Sequence, residues 1–176
     1  MSRPGTSSHK ILVAGIGNIF LGDDAFGSEV ARRLMNEPWP PEVRVTDFGI
    51  RSYDLAYALM DGYDVTILVD AASRQQPPGT VYLIEPDLSQ PDHLDETMAD
   101  AHSMSPVKVL QMLQTFGGSP GRLYLVGCEP ANLELEEGEI GLSKIVEASI
   151  PRAIELIRTL VNDLLSANQT MEVKTT

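Results

Sequence analysis

Acidic side chains stand at the ends of several apolar segments of this sequence, where strands would finish. Asp24 follows the first segment, Asp47 the second, Asp70 the third, and Glu129 a later one. His102 ends a long acidic stretch. Two carboxylates and one imidazole that converge suit a divalent first-row metal ion, bound loosely and with open positions. The same residue types serve as general acids and bases. The sequence therefore indicates a metal site or an acid–base site.

Each of these residues also has an ordinary structural role. Asp23 and Asp24 precede a predicted helix, where a carboxylate is stabilised by about 0.3–1 kcal/mol through the helix dipole. Either of the two could do no more than that. Asp70 directly follows an apolar strand, so its carboxylate needs hydrogen-bond partners or a cation to offset desolvation. The alternatives are a hydrogen-bonded acid that caps a loop for Asp70, and a solvent-facing loop residue for His102.

Short apolar segments predict the strands of a sheet. They comprise residues 11–16, 43–48, 65–69, 80–84 and 122–126. The first is a continuous apolar run, as expected of a strand that is covered on both faces. Because helix-like segments alternate with them, we predict an α/β fold: a single three-layer domain with a mostly parallel twisted sheet of about five strands and helices on both faces. Ligands of such sheets bind beyond the carboxyl ends of the strands, where the acids lie.

Helical spacing is clearest after the first strand. Phe26, Val30 and Leu34 recur every four residues and predict a helix over residues 24–36. Residues 53–60 predict a second, shorter helix. These two helices would follow the first two strands, as a parallel sheet requires.

Two further helices are predicted in the second half of the chain. Ser105 and Pro106 are typical of an N-cap and a first helical residue, and the apolar face of that helix continues through Leu110, Leu113 and Phe116. Pro151 is expected to start or kink a long C-terminal helix. The apolar stripe of that last helix consists of Ile150, Ile154, Ile157, Val161 and Leu164.

Composition and segment pattern set the boundaries of this domain. Residues 1–8 predict a disordered N-terminus, residues 9–167 a single α/β domain, and residues 168–176 a frayed C-terminal tail. Two acidic loops are predicted over residues 85–102 and 129–142. Long loops inside a compact domain are often functional.

The charge of the chain argues against two classes of partner. The 176 residues carry a formal net charge of -12, which disfavours binding to nucleic acid or to anionic membranes because both are polyanions. No stretch is long enough to span a bilayer, and glycines and Asn18 interrupt the N-terminal apolar run, so we expect no signal peptide. The single cysteine, Cys128, fits a reducing compartment. We therefore expect a cytoplasmic protein.

The glycine-rich turn after the first strand suggests a dinucleotide site as one alternative. Gly15 and Gly17 match the first two glycines of the Rossmann fingerprint, and Asp47 lies where a ribose-binding acid would be. However, Phe20 occupies the third glycine position, and the acidic pair at residues 23–24 would face the pyrophosphate. This non-catalytic binding module is the less favoured interpretation.

A cysteine hydrolase that uses Cys128 and His102 is another alternative. Cys128 ends a predicted strand, where a nucleophile is plausible. Lone cysteines are nevertheless more often small buried hydrophobic residues. The sequence contains neither a G-x-S-x-G elbow nor an H-E-x-x-H zinc motif, so a serine triad and a zincin are not indicated.

Five motifs in order resemble those of the hydrogenase maturation proteases. The run GIGNIFLGDDAFG at residues 15–27 is similar to the opening signature of that family. LVDA at residues 68–71 resembles its second acidic site, and AHSMS at residues 101–105 its histidine site. VGCEP at residues 126–130 and GLS at residues 141–143 resemble its C-terminal landmarks. The resemblance spans roughly residues 10–165.

The resemblance implies an activity as well as a fold. It implies a hydrolase, an endopeptidase of hydrogenase maturation that removes a C-terminal extension from the precursor of a nickel–iron hydrogenase large subunit after nickel insertion. Nickel would be supplied by that substrate, with no organic cofactor, and Asp24, Asp70 and His102 would bind it, in recognition or in catalysis. A metal-dependent enzyme is expected, and its site acids are compatible with an aspartic-type classification. The segment 47–54, with Gly49, Arg51 and Ser52, is a candidate substrate contact. The alternative is a non-catalytic α/β nucleotide- or metal-binding module.

Overall fold

A five-stranded sheet forms the centre of the molecule. The structure is a computed structural model that describes residues 9–89, 106–131 and 140–173, with side chains described to residue 168. The sheet has the strand order β2-β1-β3-β5-β4. Its strands are β1 (Ile11–Ile16), β2 (Val43–Gly49), β3 (Val65–Ala71), β4 (Val81–Ile84) and β5 (Arg122–Cys128). All neighbouring pairs are parallel except β4 and β5, which are antiparallel.

Helices cover both faces of this sheet. They are α1 (Phe26–Leu34), α2 (Ser52–Leu59), α3 (Pro106–Thr115) and α4 (Lys144–Val173). Buried residues of α1 and α4 pack on one face in one apolar cluster, and those of α2 and α3 pack on the other face in a second cluster. The predicted fold class, a single three-layer α/β domain with a mostly parallel sheet, is confirmed.

The first strand shows why a continuous apolar run forms the middle of such a sheet. Every residue of β1 is buried. Ile11 and Val13 point into the cluster under α1 and α4, while Leu12 and Ala14 point into the cluster under α2 and α3. Because successive side chains of a strand point to opposite faces, both faces need apolar residues and no alternation appears in the sequence.

The predicted helix after β1 is confirmed. Phe26, Val30 and Leu34 are each completely buried against the sheet, and a short 3-10 turn, Gly22–Ala25, precedes α1. On the other face, α2 begins one residue earlier than predicted, at Ser52. These two helices bury the sheet around the end of β1.

The second half of the chain departs from expectation at Phe116. The helix α3 begins at Pro106, as predicted, and ends at Thr115. Phe116 therefore lies beyond the helix and is 44% exposed. Its ring stacks on Tyr57 of α2 at a centroid distance of 6.0 Å. Phe116 thus bridges two helices at the surface and is not part of the core.

The prediction that Pro151 could start the last helix is wrong. The helix α4 begins at Lys144 and contains Pro151 in its interior. Its first turns are held by Val146 and Ile150, which are completely buried. Pro151 and Glu147 are exposed, so the hydrogen bond that proline cannot donate is lost on the solvent side, where water can satisfy the Glu147 carbonyl.

Several predicted segments lie outside the described residues. These are residues 1–8, the part of the first acidic loop that contains His102, the proposed N-cap Ser105, and residues 132–139 of the second acidic loop. At the other end, α4 continues to Val173, into the segment 168–176 that the sequence predicts as a tail. Among the described residues, no helix is long and apolar enough to cross a membrane.

The N-terminus of α1 packs unusually closely against two strands. A β-carbon at Gly27 would lie 2.0 Å from the Val69 carbonyl oxygen and 2.2 Å from the Ile16 carbonyl oxygen. Only a residue without a side chain allows α1 to sit on the ends of β1 and β3 at this distance. This close contact determines where the residues just before α1 are held.

We predict that Gly27→Ala lowers the free energy of unfolding by about 3 kcal/mol, because the new methyl group overlaps two backbone carbonyls. The sign is informative, since the same substitution inside an unobstructed helix stabilises by about 1 kcal/mol. Urea denaturation measures the change. Gly117→Ala is the control: its added β-carbon meets nothing within 4 Å, so only the left-handed conformation should cost about 1 kcal/mol. A Gly27 variant as stable as this control would contradict the prediction.

Candidate active site

A tight turn carries the chain from the end of β1 to α1. Gly17 has a φ of +147°, and a β-carbon there would lie 1.9 Å from the Asp24 carbonyl oxygen. Its amide donates a hydrogen bond to the Gly49 carbonyl at 3.1 Å, and the buried Ser28 hydroxyl donates to the Gly17 carbonyl at 3.2 Å. The turn is therefore folded back on itself and brings Asp24 to the carboxyl edge of the sheet.

The carboxylate of Asp24 faces this turn. It accepts a hydrogen bond from the Asn18 amide at 2.8 Å. The Asn18 side chain in turn accepts a hydrogen bond from the Phe20 amide at 3.0 Å. Asp24 is only partly buried, so its carboxylate is oriented by the turn and still accessible from the edge.

Asp23 has a different role from Asp24. Its side chain is 1% exposed, and its carboxylate accepts hydrogen bonds from the Ala131 amide at 2.9 Å, the Ser143 amide at 2.7 Å and the Ser143 hydroxyl at 3.0 Å. Asp23 thus joins the turn to the residues that follow β5 and precede α4. Of the two adjacent acids, it is the structural one.

Asp70 is a buried carboxylate near the end of β3. It is 6% exposed and pairs in register with Gly127 of β5. Burial raises the pKa of Asp70 well above its ordinary value, and the negative charge of Asp24 raises it further, while a hydrogen bond from the Ala71 amide acts in the opposite direction. Two of the three predicted site residues, Asp24 and Asp70, are thus brought close enough to interact.

The third predicted residue, His102, lies outside the described residues, so its place in this site stays a prediction. Within residues 9–89, 106–131 and 140–173, no three His, Cys, Asp or Glu side chains are grouped as a metal site. In the described part of the chain, the candidate site therefore consists of two carboxylates. Their mutual repulsion would be relieved by a cation, and oxygen ligands of this kind leave most coordination positions open.

Glu129 is the other acid at this edge, and its role is structural. It is 4% exposed and accepts hydrogen bonds from the Ser73 hydroxyl at 2.8 Å and from the Arg74 amide at 2.6 Å. Its own carbonyl accepts a hydrogen bond from Gly79 at 2.8 Å. Glu129 thereby fixes the loop that follows Asp70, as Asp23 fixes the turn beside Asp24.

Sequence reasoning did not single out Tyr82. Its hydroxyl donates to the Ala72 carbonyl at 2.7 Å, and burial raises the pKa of Tyr82. A β-carbon at Gly127 would lie 2.3 Å from the tyrosine ring, so the glycine of the VGCEP motif makes room for it. The signal for this contact was only that glycine, which a sequence alone does not pair with a tyrosine on another strand.

The geometry of the glycine turn disfavours a dinucleotide site. The Asn18 amide, which would face a phosphate, is already bonded to a carboxylate. Asp47, the candidate ribose ligand, bonds the Arg32 guanidinium at 2.9 Å and the Gly49 amide at 3.0 Å. Both groups that a dinucleotide would need are therefore used within the protein.

The environment of Cys128 disfavours a cysteine nucleophile. Its side chain is completely buried in the cluster under α1 and α4, with its sulfur 3.3 Å from the Ser149 hydroxyl oxygen. Burial raises the pKa of the Cys128 thiol, which lowers the thiolate fraction that would react. The sheet edge with Asp24 and Asp70 is the better candidate.

The fold and the site define an α/β protein with a pair of interacting carboxylates at the carboxyl edge of a mostly parallel sheet. The family model described as hydrogenase maturation protease matches residues 28–160. The hydrogenase 2 maturation protease of Escherichia coli is 33% identical over 150 residues, which cover 84% of this chain and 88% of that protein.

Solved structures agree with these sequence matches. The hydrogenase maturating endopeptidase HybD of Escherichia coli has a TM-score of 0.70 and 30% identity, with 88% of this chain and 93% of that chain covered. A hydrogenase 2 maturation peptidase from a Thaumarchaeota archaeon has a TM-score of 0.66 and 27% identity, with 87% and 98% covered. The chain belongs to the hydrogenase maturation protease family, and the sequence resemblance is confirmed.

We predict that Asp70→Asn makes the metal-free protein more stable at neutral pH. The pKa of Asp70 is higher in the folded chain than in the unfolded chain, so folding takes up a proton, and the free energy of unfolding falls as pH rises from about 4 through the raised folded pKa. The amide side chain of the Asp70→Asn variant does not ionise, so this loss of stability at higher pH disappears. The melting temperature at pH 7 should rise by roughly 2–4 °C for each kcal/mol recovered.

Thermal melts of both proteins across pH, in the presence of a chelator, measure this effect. The gain from Asp70→Asn should shrink as pH falls towards 4. Asp64→Asn is the matched control, since Asp64 directly precedes β3, at the opposite end of that strand from Asp70, and its side chain is 46% exposed. A variant less stable than the unchanged protein at every pH would contradict the prediction.

For Asp23, we predict the opposite effect on stability. Asp23→Asn places an amide group against three hydrogen-bond donors, so one of these contacts becomes donor against donor. We expect a loss of about 2–4 kcal/mol in the free energy of unfolding, as for a buried, charge-assisted network that loses an acceptor. Ser143→Ala removes the hydroxyl, which also accepts from the Val146 amide at 3.4 Å, and should cost the smaller amount of about 1–1.5 kcal/mol. Equal losses in the two variants, measured by urea denaturation, would refute this role for Asp23.

Proposed function

We propose that this chain is an endopeptidase that removes a C-terminal extension from the precursor of a nickel–iron hydrogenase large subunit after nickel has been inserted. Membership of the hydrogenase maturation protease family supports the reaction class. The observation that carries the proposal is the buried Asp70 carboxylate beside Asp24. Two like charges held together at a ligand-binding edge are a costly arrangement that a metal cation from a substrate would stabilise.

In this proposal nickel is part of the substrate. The precursor presents the ion on its own cysteine thiolates, and Asp24, Asp70 and His102 supply oxygen and nitrogen ligands to its open positions. A protein that contributes only a few hard ligands holds nickel weakly by itself. Binding of the precursor then depends on the nickel that it carries, so nickel insertion becomes the checkpoint for cleavage.

The same arrangement suits hydrolysis of the peptide bond. A metal ion at the edge polarises the scissile carbonyl or a water molecule. A carboxylate within hydrogen-bond reach of that water can act as general base. The buried Asp70 and Asp24, oriented by the Asn18 amide, are the two candidates for this base, and the carboxylate that does not act as base remains a metal ligand. The family assignment and the charge of -12 fit a protein partner and no nucleic acid, and we propose a cytoplasmic location.

The decisive experiment is a mass measurement. A matched large-subunit precursor, with and without nickel, is incubated with this protein, and the mass of the precursor is followed. Loss of a C-terminal peptide only from the nickel-loaded precursor is the expected result. Cleavage of the nickel-free precursor would support the endopeptidase activity and contradict the dependence of cleavage on nickel. If a verified nickel-loaded precursor is not cleaved, the non-catalytic binding module becomes the better interpretation.

We predict that Asp24→Asn, Asp70→Asn and His102→Ala each lower kcat/KM for the nickel-loaded precursor by at least about a hundredfold, the scale of a lost acid–base group or metal ligand. Asp64→Asn, at the opposite end of β3, is the control, and this variant should cleave the precursor at the normal rate. Pull-down of the loaded precursor separates the two roles: a variant that binds but does not cleave has lost chemistry, while a variant that does neither has lost recognition. Near-normal processing by all three would refute the site.

A further inference from the structure

The strand β2 forms one edge of the sheet. In the part of the chain that the structure describes, β2 lies at the end of the sheet order and pairs only with β1. An edge strand presents backbone amides and carbonyls to any extended chain of suitable shape. Natural proteins usually protect such edges, so an accessible one beside a candidate active site needs an explanation.

The register shows which backbone groups of β2 face outward. Ile11 pairs with Val43, and the Ile11 amide donates to the Glu42 carbonyl at 2.9 Å. Because the amide and carbonyl of one strand residue point to the same side, residues 42, 44 and 46 direct theirs towards β1. The backbone groups of Val45 therefore point away from the sheet. The outward backbone groups of the two flanking residues, Val43 and Asp47, are partly occupied. The Val43 amide donates to the Pro40 carbonyl at 2.9 Å, and the Asp47 carbonyl accepts from the Arg51 guanidinium at 2.5 Å.

A groove runs beside this edge, between β2 and α2. Its volume is about 650 Å³. The β2 side chains that line it are at alternate positions, as one face of a strand requires, and the opposite wall belongs to α2 and the residue before it. The main lining residues are Arg44, Thr46, Phe48, Arg51, Asp54 and Tyr57. An extended peptide laid against β2 would place every second side chain in this groove.

The carboxyl end of β2 lies beside the turn that carries Asp24. Ile16 pairs with Gly49 at the end of β2, and the Gly17 amide donates to the Gly49 carbonyl. The next residue of that turn, Asn18, bonds the Asp24 carboxylate. A substrate chain cleaved beside Asp24 would therefore pass the carboxyl end of β2, and the part beyond the cut could run along β2 towards the amino end of that strand.

We propose that the C-terminal extension of the substrate binds as an added strand, antiparallel to β2, with alternate side chains in the groove beside α2. The inference rests on the proposed function, because the occupant is the extension itself. The Val45 amide donates to, and its carbonyl accepts from, the backbone of the extension. An extension that covered all seven residues of β2 would span roughly 23 Å at about 3.3 Å per residue. Main-chain contacts tolerate many extension sequences, and the exposed ring of Tyr57 offers an apolar contact to one of the side chains in the groove.

Val45→Pro tests the proposal directly. Proline removes the outward amide and leaves the hydrogen bonds between β1 and β2 in place, which is where edge strands tolerate it. Val45→Ala is the reference variant, because it loses the same packing and keeps the amide. Relative to Val45→Ala, we expect Val45→Pro to raise KM for the nickel-loaded precursor at least about threefold, the loss of one net hydrogen bond, with kcat unchanged.

A second measurement keeps the test independent of cleavage and of the folding of Val45→Pro. A synthetic peptide with the sequence of the extension is titrated calorimetrically into the unchanged protein, alongside two peptides N-methylated at alternate residues. The peptide that is methylated at the amides facing β2 should no longer bind. The peptide that is methylated at the amides pointing away from β2 should bind nearly as well as the unmethylated peptide. Equal KM in the two Val45 variants, equal binding of both methylated peptides, or a β2-dependent dimer without an effect on KM would each overturn the proposal. Failure of the unchanged protein to cut a precursor whose extension still binds would refute the proposed function alone.

Discussion

The contact of α1 with the ends of β1 and β3 is the constraint on which the rest of the site depends. At Gly27, the backbone of the helix lies against the Ile16 and Val69 carbonyls at a distance that no side chain permits. Gly17 makes a similar contact with the backbone of Asp24. These two glycines hold Asp24, in the turn before α1, beside Asp70, which follows Val69. The glycines of the first motif therefore act by packing, and they place one carboxylate against another.

The resulting pair of like charges is unfavourable for the isolated protein. Desolvation and the charge of Asp24 both act against an ionised Asp70, and the fold keeps them together through contacts made elsewhere. Such a store of unfavourable electrostatic energy is typical of functional sites. A cation would stabilise this pair, as the proposed function requires.

Two further carboxylates hold the loops around this pair. Asp23 bonds residues on both sides of the segment between β5 and α4, and Glu129 bonds the loop after Asp70. The sequence neighbours Asp23 and Asp24 thus differ in role. The carboxylate of Asp23 is held by hydrogen bonds inside the protein, whereas that of Asp24 faces the edge of the sheet. In the proposed binding mode, β2 guides the extension away from the same edge, so recognition of the extension and cleavage beside Asp24 are served by different parts of one sheet.

The sequence by itself determined the architecture and the position of the acids. Apolar runs, the spacing of Phe26, Val30 and Leu34, and the motifs of the family placed Asp24 and Asp70 at strand ends, because burial on both faces of a parallel sheet leaves a clear pattern. Only the tertiary structure separated Asp23 from Asp24, since the hydrogen-bond partners of Asp23 lie more than a hundred residues away. It also decided that Pro151 lies inside a helix and that Phe116 is a surface contact. These outcomes depend on which groups face solvent, and solvent exposure is a property of the packed chain that local residue patterns do not specify.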